Sequence, residues 1–350
     1  MGHTGGIGRM LTSRKYIHKF AVEYGEKYGK NPSEVEKDII QAKKYNHISF
    51  GEYEWTGYFD MDQDQKKTVS TLWTRMEYRK KFTDRRYIGI LMNKYMFSKV
   101  YADFYKRKCV HTSDVTEDVL KEIAGDTGVI VYKPNCKGQG KGVKILPVSA
   151  SEEMEAAMEY IQKGGRGIVE EYICQDETLQ KLNPNAVSIV RFYSVNSPYG
   201  SYVFAPVLTS ALYKDIANGC QDAITAMIDI RNGQVITDAV DQNKLAEYAA
   251  HPVTGVNFKG FQVSHWEETL EMMKRAVPLV GRLSNIGWDV AITKDGPVMI
   301  EGNTIPGFNT AQYSGFRWIT DGYGYQPLFD AVNGIEFKDN GRYEKVVMKL

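Results

Sequence analysis

The stretch most pointed toward chemistry is GWDVAITKDGPVMIEGNTIPGF, residues 287 to 308. Lys294-Asp295-Gly296 has the makeup of a three-residue hairpin turn, with Gly296 where a positive φ is needed and alternating runs on either side. Counting outward from Asp295 pairs Thr293 with Pro297, Ala291 with Met299 and Asp289 with Glu301. The two acids then stand opposite each other on one face, their Cβ atoms roughly 5 Å apart. Trp288, Val290 and Ile292, with Val298 and Ile300, take the other face. Like charges directly opposed destabilise a strand pair, and more so where water is scarce. A cation between them reverses the sign. Asn303 can add a neutral oxygen to that face, so Asp289, Glu301 and Asn303 form an all-oxygen set suited to Mg²⁺. A solvated hairpin face that happens to carry two acids is the competing reading, and the hairpin alone does not choose.

A second group could meet phosphate. In VYKPNCKGQGKGVKIL, Lys133 sits near the end of an apolar strand, followed by Gly138, Gly140 and Gly142 with lysines between them. Alternate glycines let successive backbone N–H groups turn toward one point and make an anion-binding concavity. The loop is neither GxxxxGK[ST] nor GxGxxG, and a flexible hairpin tip with solubilising lysines reads equally well. Lys133 is harder to dismiss, because a lysine beside Ile130, Val131 and Tyr132 needs a carboxylate or a phosphate if it is buried. Farther on, IVEEYI (168–173) has the form of a strand leaving a sheet through a polar hinge that can present main-chain groups to an adenine edge. Glu177 lies at a reach suited to a ribose hydroxyl, with an exposed loop acid as the alternative.

These groups need a scaffold, and 350 residues suffice for a full core and two or three subdomains. Lys and Arg total 44 against 43 Asp and Glu, a net charge of +1, so no global field recruits nucleic acid or an anionic membrane. Cysteines 109, 136, 174 and 220 show no CxxC and no zinc spacing, which reads as reduced thiols and a cytoplasmic setting. No apolar run approaches the ~20 residues of a membrane span. Residues 12 to 107 are rich in Lys, Arg and Tyr and read as helical, with Ser33 and Glu36 as a capping box ahead of VEKDIIQAKKY, then STLWTRMEYRKKF and NKYMFSKVYADFYKRK. From residue 112 the pattern turns to mixed α/β: helix SDVTEDVLKEIAG, strand GVIVYKP, the glycine-rich loop, strand VKILPV, helix SEEMEAAMEYIQKG and strand RGIVEEYI. Strands AVSIVRFYSV, YVFAPVLTSAL and AITAMIDIRNGQVI follow, then a long helix opened by Ser264 and Glu267, then the acidic hairpin.

Taken in order, these pieces resemble the ATP-grasp superfamily: a lysine on an early helix (Lys94), a strand lysine (Lys133), a glycine-rich lid (138–142), an E-E-Y-I hinge (170–173) and an Asp…Glu-x-Asn hairpin (289, 301, 303). The similarity spans roughly residues 86 to 310. Within it, HPVTGVNFKGFQVSHW (251–266) and IGWDVAITKDGPVMIEGN resemble the sugar-transfer-associated branch, related to the alpha-L-glutamate ligases. The resemblance implies an α+β ATP-grasp fold, with subdomains at 86–174 and 175–350 clasping ATP and a helical region at 1–85 where many relatives carry a separate α/β domain. It implies that Lys133 and Lys94 contact phosphates, with Lys99 competing for the place of Lys94. Glu170, Glu171 and Ile173 would receive adenine, Glu177 the ribose, and Asp289, Glu301 and Asn303 would ligate Mg²⁺.

The chemistry so implied is carboxylate-amine ligation through an acyl phosphate, on an amino acid, small peptide or sugar-linked precursor. A hydroxyl-directed phosphotransferase and a nucleotide-binding module without turnover are the alternatives. An arginine is wanted where the oxyanion develops, and Arg191 is the first candidate, Arg317 the second. Each could instead be held by an acid. His251 and His265 are acid-base candidates, although a lone histidine is more often structural.

Overall fold

The computed structural model describes residues 13–135, 142–212, 223–241, 246–337 and 339–350. Helices Arg14–Tyr28, Pro32–Tyr45 and Phe50–Thr56 open the chain. Their apolar residues recur at helical spacing, Ile17, Ala21 and Tyr24 against Val35, Ile39 and Ala42, and these close a small core around Tyr53. The expected Ser33–Glu36 capping box does not form. Asn31 caps instead, its side chain accepting from the Ser33 N–H at 2.9 Å with Pro32 at the first helical position, while Glu36 accepts from or pairs with His18. Helix Leu72–Phe82 sends Tyr78 into a different core, edge-on to Phe329. The stretch expected as one helix beyond Asn93 is two, Lys94–Val100 and Ala102–Tyr105.

A four-stranded antiparallel sheet follows, built from β1 (Cys109–His111), β2 (Val129–Pro134), β3 (Lys144–Pro147) and β4 (Gly167–Glu171) in the order β1-β4-β2-β3. Ile130, Tyr132, Leu146 and Val169 face helices Glu117–Ala124 and Ser151–Gly164. With a side-chain period of two, Val131 and Lys133 emerge on the opposite face, where the register pairs them with Glu170 and Ile168.

The larger antiparallel sheet runs β11-β10-β5-β6-β7-β8-β9, with β12 added to β6. Its strands are β5 (Ile189–Ser197), β6 (Gly200–Ala211), β7 (Ala223–Met227), β8 (Ala239–Asp241), β9 (Glu247–Tyr248), β10 (Ile286–Thr293), β11 (Gly296–Asn303) and β12 (Val347–Lys349). One face carries Val190, Phe192, Leu208, Ile224, Trp288 and Met299 against helix Trp266–Leu279 and the Leu91–Tyr105 helices. The other carries Tyr193, Val207 and Met227 against Tyr78, Phe308 and Phe329. The long helix begins without the expected Ser264–Glu267 box: His265 holds the cap position at φ 51°, and the Ser264 hydroxyl donates to Asp176. All of this positions two strand pairs, β2 with β4 and β10 with β11.

Candidate active site

The acidic hairpin departs from the expected register and then returns to it. Thr293 pairs with Gly296, so Lys294-Asp295 is a two-residue turn rather than three, with Gly296 at φ 101°. Ile292 consequently pairs with Pro297, Ala291 with Val298 and Val290 with Met299. A β-bulge then leaves Ile300 without a partner, and Asp289 meets Glu301 as expected. The shorter turn and the bulge together re-aim side chains. Met299, not Val298, joins Trp288, Val290 and Ile292 in the core, and Ile300 lines the cleft beside Glu301. Gly302 lets the preceding helices approach closely, since a Cβ there would lie 2.9 Å from Leu91 and 3.3 Å from Phe97.

Asp289, 3% exposed, receives two parallel bonds from Arg191, Nε to Oδ1 at 2.6 Å and Nη2 to Oδ2 at 2.7 Å. Burial works against the charge on Arg191, but the Asp289 carboxylate outweighs it and holds the guanidinium well above its ordinary pKa. The arginine is thus paired with an acid. Asn303 closes the group, its amide donating to Glu301 at 3.1 Å and to Asp289 at 3.4 Å. Turning that amide over would present Oδ1 in place of Nδ2, so that two carboxylates and a carboxamide oxygen converge. With Arg191 the formal sum is still −1. The donor chemistry fits an oxygen-preferring divalent cation.

On the small sheet the balance is reversed. Lys133 Nζ donates to Glu170 Oε1 at 2.7 Å. The other Glu170 oxygen accepts from Arg107 Nη2 at 3.1 Å and from the Tyr105 hydroxyl. Glu170 is 1% exposed, and burial alone would raise its pKa. Arg107 and then Lys133 overcome that and hold it down at about 2, from an ordinary 4.5. The Tyr105 phenol is pushed far up by burial and by Glu170, so it stays protonated and donates. Arg107 and Tyr105 were not legible as site residues. Their signal was the basic-aromatic run YKRK just ahead of β1, which by itself reads as part of a solvated helical face.

Part of each cluster lines one cleft of about 310 Å³: Glu301 and Asn303 of the first and Tyr105, Lys133 and Glu170 of the second, with Lys94, Asn135, Ile168 and Ile300, whereas Asp289, Arg191 and Arg107 are not among its lining residues. Lys94 lines it, whereas Lys99 is exposed and lies over the Tyr95 ring at 4.8 Å. Glu171 accepts from the Lys108 N–H, Ile173 is half-buried, and Glu177 is the exposed first residue of helix Glu177–Leu182; none of the three lines this cleft. The hinge between them is anchored to the hairpin, the Asp176 N–H donating to the Ile292 carbonyl at 3.0 Å. Gly138 and Gly140 lie outside the described residues, and Gly142 is exposed at φ 81°. Arg317 is not brought to the cleft: its guanidinium pairs with Glu247 at 2.9 Å on an exposed helix face and donates to the Tyr313 hydroxyl. His251 is buried with Nε2 on the Ala211 carbonyl and Nδ1 accepting from Val253, and burial lowers its pKa. His265 pairs with Glu268.

The family model described as sugar-transfer associated ATP-grasp matches residues 74–317. Comparison with curated protein sequences returns no match. Among solved structures, similarity extends to a D-alanine–D-alanine ligase from Bacillus anthracis, at 15% identity and TM-score 0.40 over 70% of this chain and 67% of that one. It extends also to the ATP-grasp ligase PsnB complexed with minimal precursor, at 16% identity and TM-score 0.43 over 72% and 63%. An ADP complex of PurK, N5-carboxyaminoimidazole ribonucleotide synthetase, aligns at 10% identity and TM-score 0.47 over 75% and 56%. The chain therefore spans between 56% and 67% of the length of these structures.

Proposed function

The chain belongs to the sugar-transfer associated ATP-grasp family, and from that premise we propose that it is an ATP- and Mg²⁺-dependent ligase that joins a carboxylate to an amine. The observation that carries the reading is a single cleft with an excess of positive charge on one wall and of negative charge on the other. A nucleotide triphosphate with its cation is the ligand whose own charges match that division.

Lys133 and Lys94, on the small-sheet side, are the groups we assign to the phosphates, and Glu170, Glu171 and Ile173 to the adenine edge. Glu177 remains our assignment for the ribose, as the acid that follows the hinge. Asp289, Glu301 and Asn303 would hold Mg²⁺, which when bound offsets charge on the transferring phosphoryl group. Arg191 holds Asp289 at a fixed angle and adds a permanent positive charge beside the acids, so the oxyanion-stabilising role falls to it rather than to Arg317.

In the proposed reaction a substrate carboxylate oxygen attacks the γ-phosphorus of ATP and ADP leaves. The amine then adds to the activated acyl carbon, loses a proton, and expels inorganic phosphate. Substrates are small molecules: an amino acid, a peptide or a sugar-linked precursor. The test is a screen of carboxylates crossed with amines, read by ADP release. A matched pair should be needed for full turnover, free phosphate should appear, and hydroxylamine in place of the amine should give a hydroxamate. Phosphate retained on a hydroxyl product would make the protein a kinase. AMP and pyrophosphate would replace the acyl phosphate with an adenylate.

A further inference from the structure

Glu170 has more cationic partners than one carboxylate requires, and the two cations are placed differently. Lys133 is 13% exposed at its side chain and lines the cleft. Arg107 is 4% exposed, is not among the lining residues, and is held through both terminal nitrogens, its buried Nε having no partner among the described residues. It donates from Nη1 to the Tyr105 carbonyl at 3.1 Å and to the Met299 carbonyl at 2.8 Å, from Nη2 to Glu170 at 3.1 Å, and lies 3.4 Å from the centre of the Tyr105 ring. A guanidinium fork held at several points is a fixed charge, whereas an ammonium on a four-carbon stem can swing. A buried carboxylate stripped of its last partner is strongly disfavoured. A lysine that was Glu170's sole counter-ion would therefore be trapped on it.

From these contacts we infer that Arg107 is a positioning residue: it is the resident counter-ion of Glu170, and its constant pairing lets Lys133 pass from Glu170 Oε1 to a phosphate in the same cleft. The inference rests on the reading that Lys133 meets phosphate. The exchange makes and breaks hydrogen bonds only. Glu170 keeps Arg107 and Tyr105 on Oε2, Oε1 becomes free to accept from a ligand, and one positive charge moves toward the phosphates. Because the same guanidinium holds the Met299 carbonyl, two residues before Glu301, it also fixes the small-sheet wall against the acidic hairpin.

The test uses the full chain and equilibrium binding of ATP and of adenosine, whose ratio of dissociation constants isolates the phosphate contribution. Lys133→Met should lower the ATP preference about tenfold or more, the scale of one charge-assisted bond. Arg107→Met should lower it by a similar factor, since Lys133 then stays on Glu170. Adding Glu170→Gln to Arg107→Met should return the preference to within about threefold of wild type, because the charge that traps the lysine is gone. The second change would also relieve any instability caused by the uncompensated Glu170 charge, so circular dichroism and the urea midpoint of each variant are read alongside: the ratio should fall in Arg107→Met at a protein concentration and temperature where the variant is fully folded. An unaltered ratio in Lys133→Met would sink the phosphate reading itself. A normal ratio in Arg107→Met, or a low ratio persisting in the double variant, would overturn only the role of Arg107. If Arg107→Met does not fold, a crystal structure of the wild-type chain with ADP decides: Lys133 should have left Glu170 with Arg107 still in place, and a Lys133–Glu170 bond persisting beside bound phosphate would refute the exchange.

Discussion

The two walls of the cleft use the same residue types in opposite proportion. On the small sheet one carboxylate, Glu170, is shared by Arg107 and Lys133, leaving a local sum of +1. On the hairpin there are two carboxylates to one guanidinium, Arg191 bonding Asp289 while the Asn303 amide donates to both Asp289 and Glu301, leaving −1. Neither is a closed ion pair, and a closed pair is what stability alone would favour, because uncompensated charge away from water is costly. In the function proposed above, a ligand that enters between the walls meets the surplus on each. Exposure differs as well: both acids line the cleft, but Glu170 is 1% exposed whereas Glu301 is half-buried.

The largest effects should come from the negative wall. Asp289→Asn and Glu301→Gln should each lower ADP release by a factor on the order of 10² or more at saturating ATP, while circular dichroism shows an intact fold. Near wild-type rates in both would leave the hairpin as a solvated surface with a bulge.

On the positive wall, Lys133→Ala should weaken ATP binding by about 1.5–3 kcal/mol, measured by calorimetry, with Glu170 still neutralised by Arg107. Unchanged affinity would make Lys133 a strand lysine serving Glu170 alone.

The positive wall should also be sensitive to acid. Glu170 has its pKa depressed from 4.5 to about 2, so the unfolded chain binds its proton first as pH falls. Its contribution to stability is fully present above about pH 4.5 and is lost as the pH drops through the folded value near 2. Wild type should therefore lose more stability across that window than Glu170→Gln does, by on the order of a few kcal/mol, read from urea midpoints at each pH. Parallel curves would mean that Arg107 and Lys133 do not hold the carboxylate as their geometry suggests.

The smallest effect belongs to Arg317. Its pairing with Glu247 is half exposed, at 52% and 37%, and such pairs contribute little. Arg317→Ala should shift the unfolding free energy by less than about 1 kcal/mol. A larger loss would show that helix Asn309–Trp318 depends on that contact.

Residue types and their spacing were enough to put Asp289 and Glu301 on the two strands of one hairpin and Lys133 and Glu170 on strands, because periodicity and turn chemistry are local, while the order of the motifs was legible through its resemblance to the ATP-grasp superfamily. The hairpin shows where local reasoning runs out. A turn one residue shorter than expected and a bulge one residue long cancel at the acids, and in that register Met299 lies in the core with Trp288 and Val290, a packing that spacing along the hairpin does not encode. Capping at Asn31 in place of Ser33 is a local choice, made by a side chain two residues ahead of Ser33 with Pro32 between, whereas the loss of the Ser264 cap to Asp176 was decided by a partner 88 residues away. Arg191 was legible as a charged strand residue, but its acid is 98 residues away in sequence. Arg107 and Tyr105 were invisible for the same reason: a basic-aromatic turn becomes the counter-ion of a buried glutamate only when β4 and β11 are folded against it, and no spacing along the chain encodes that meeting.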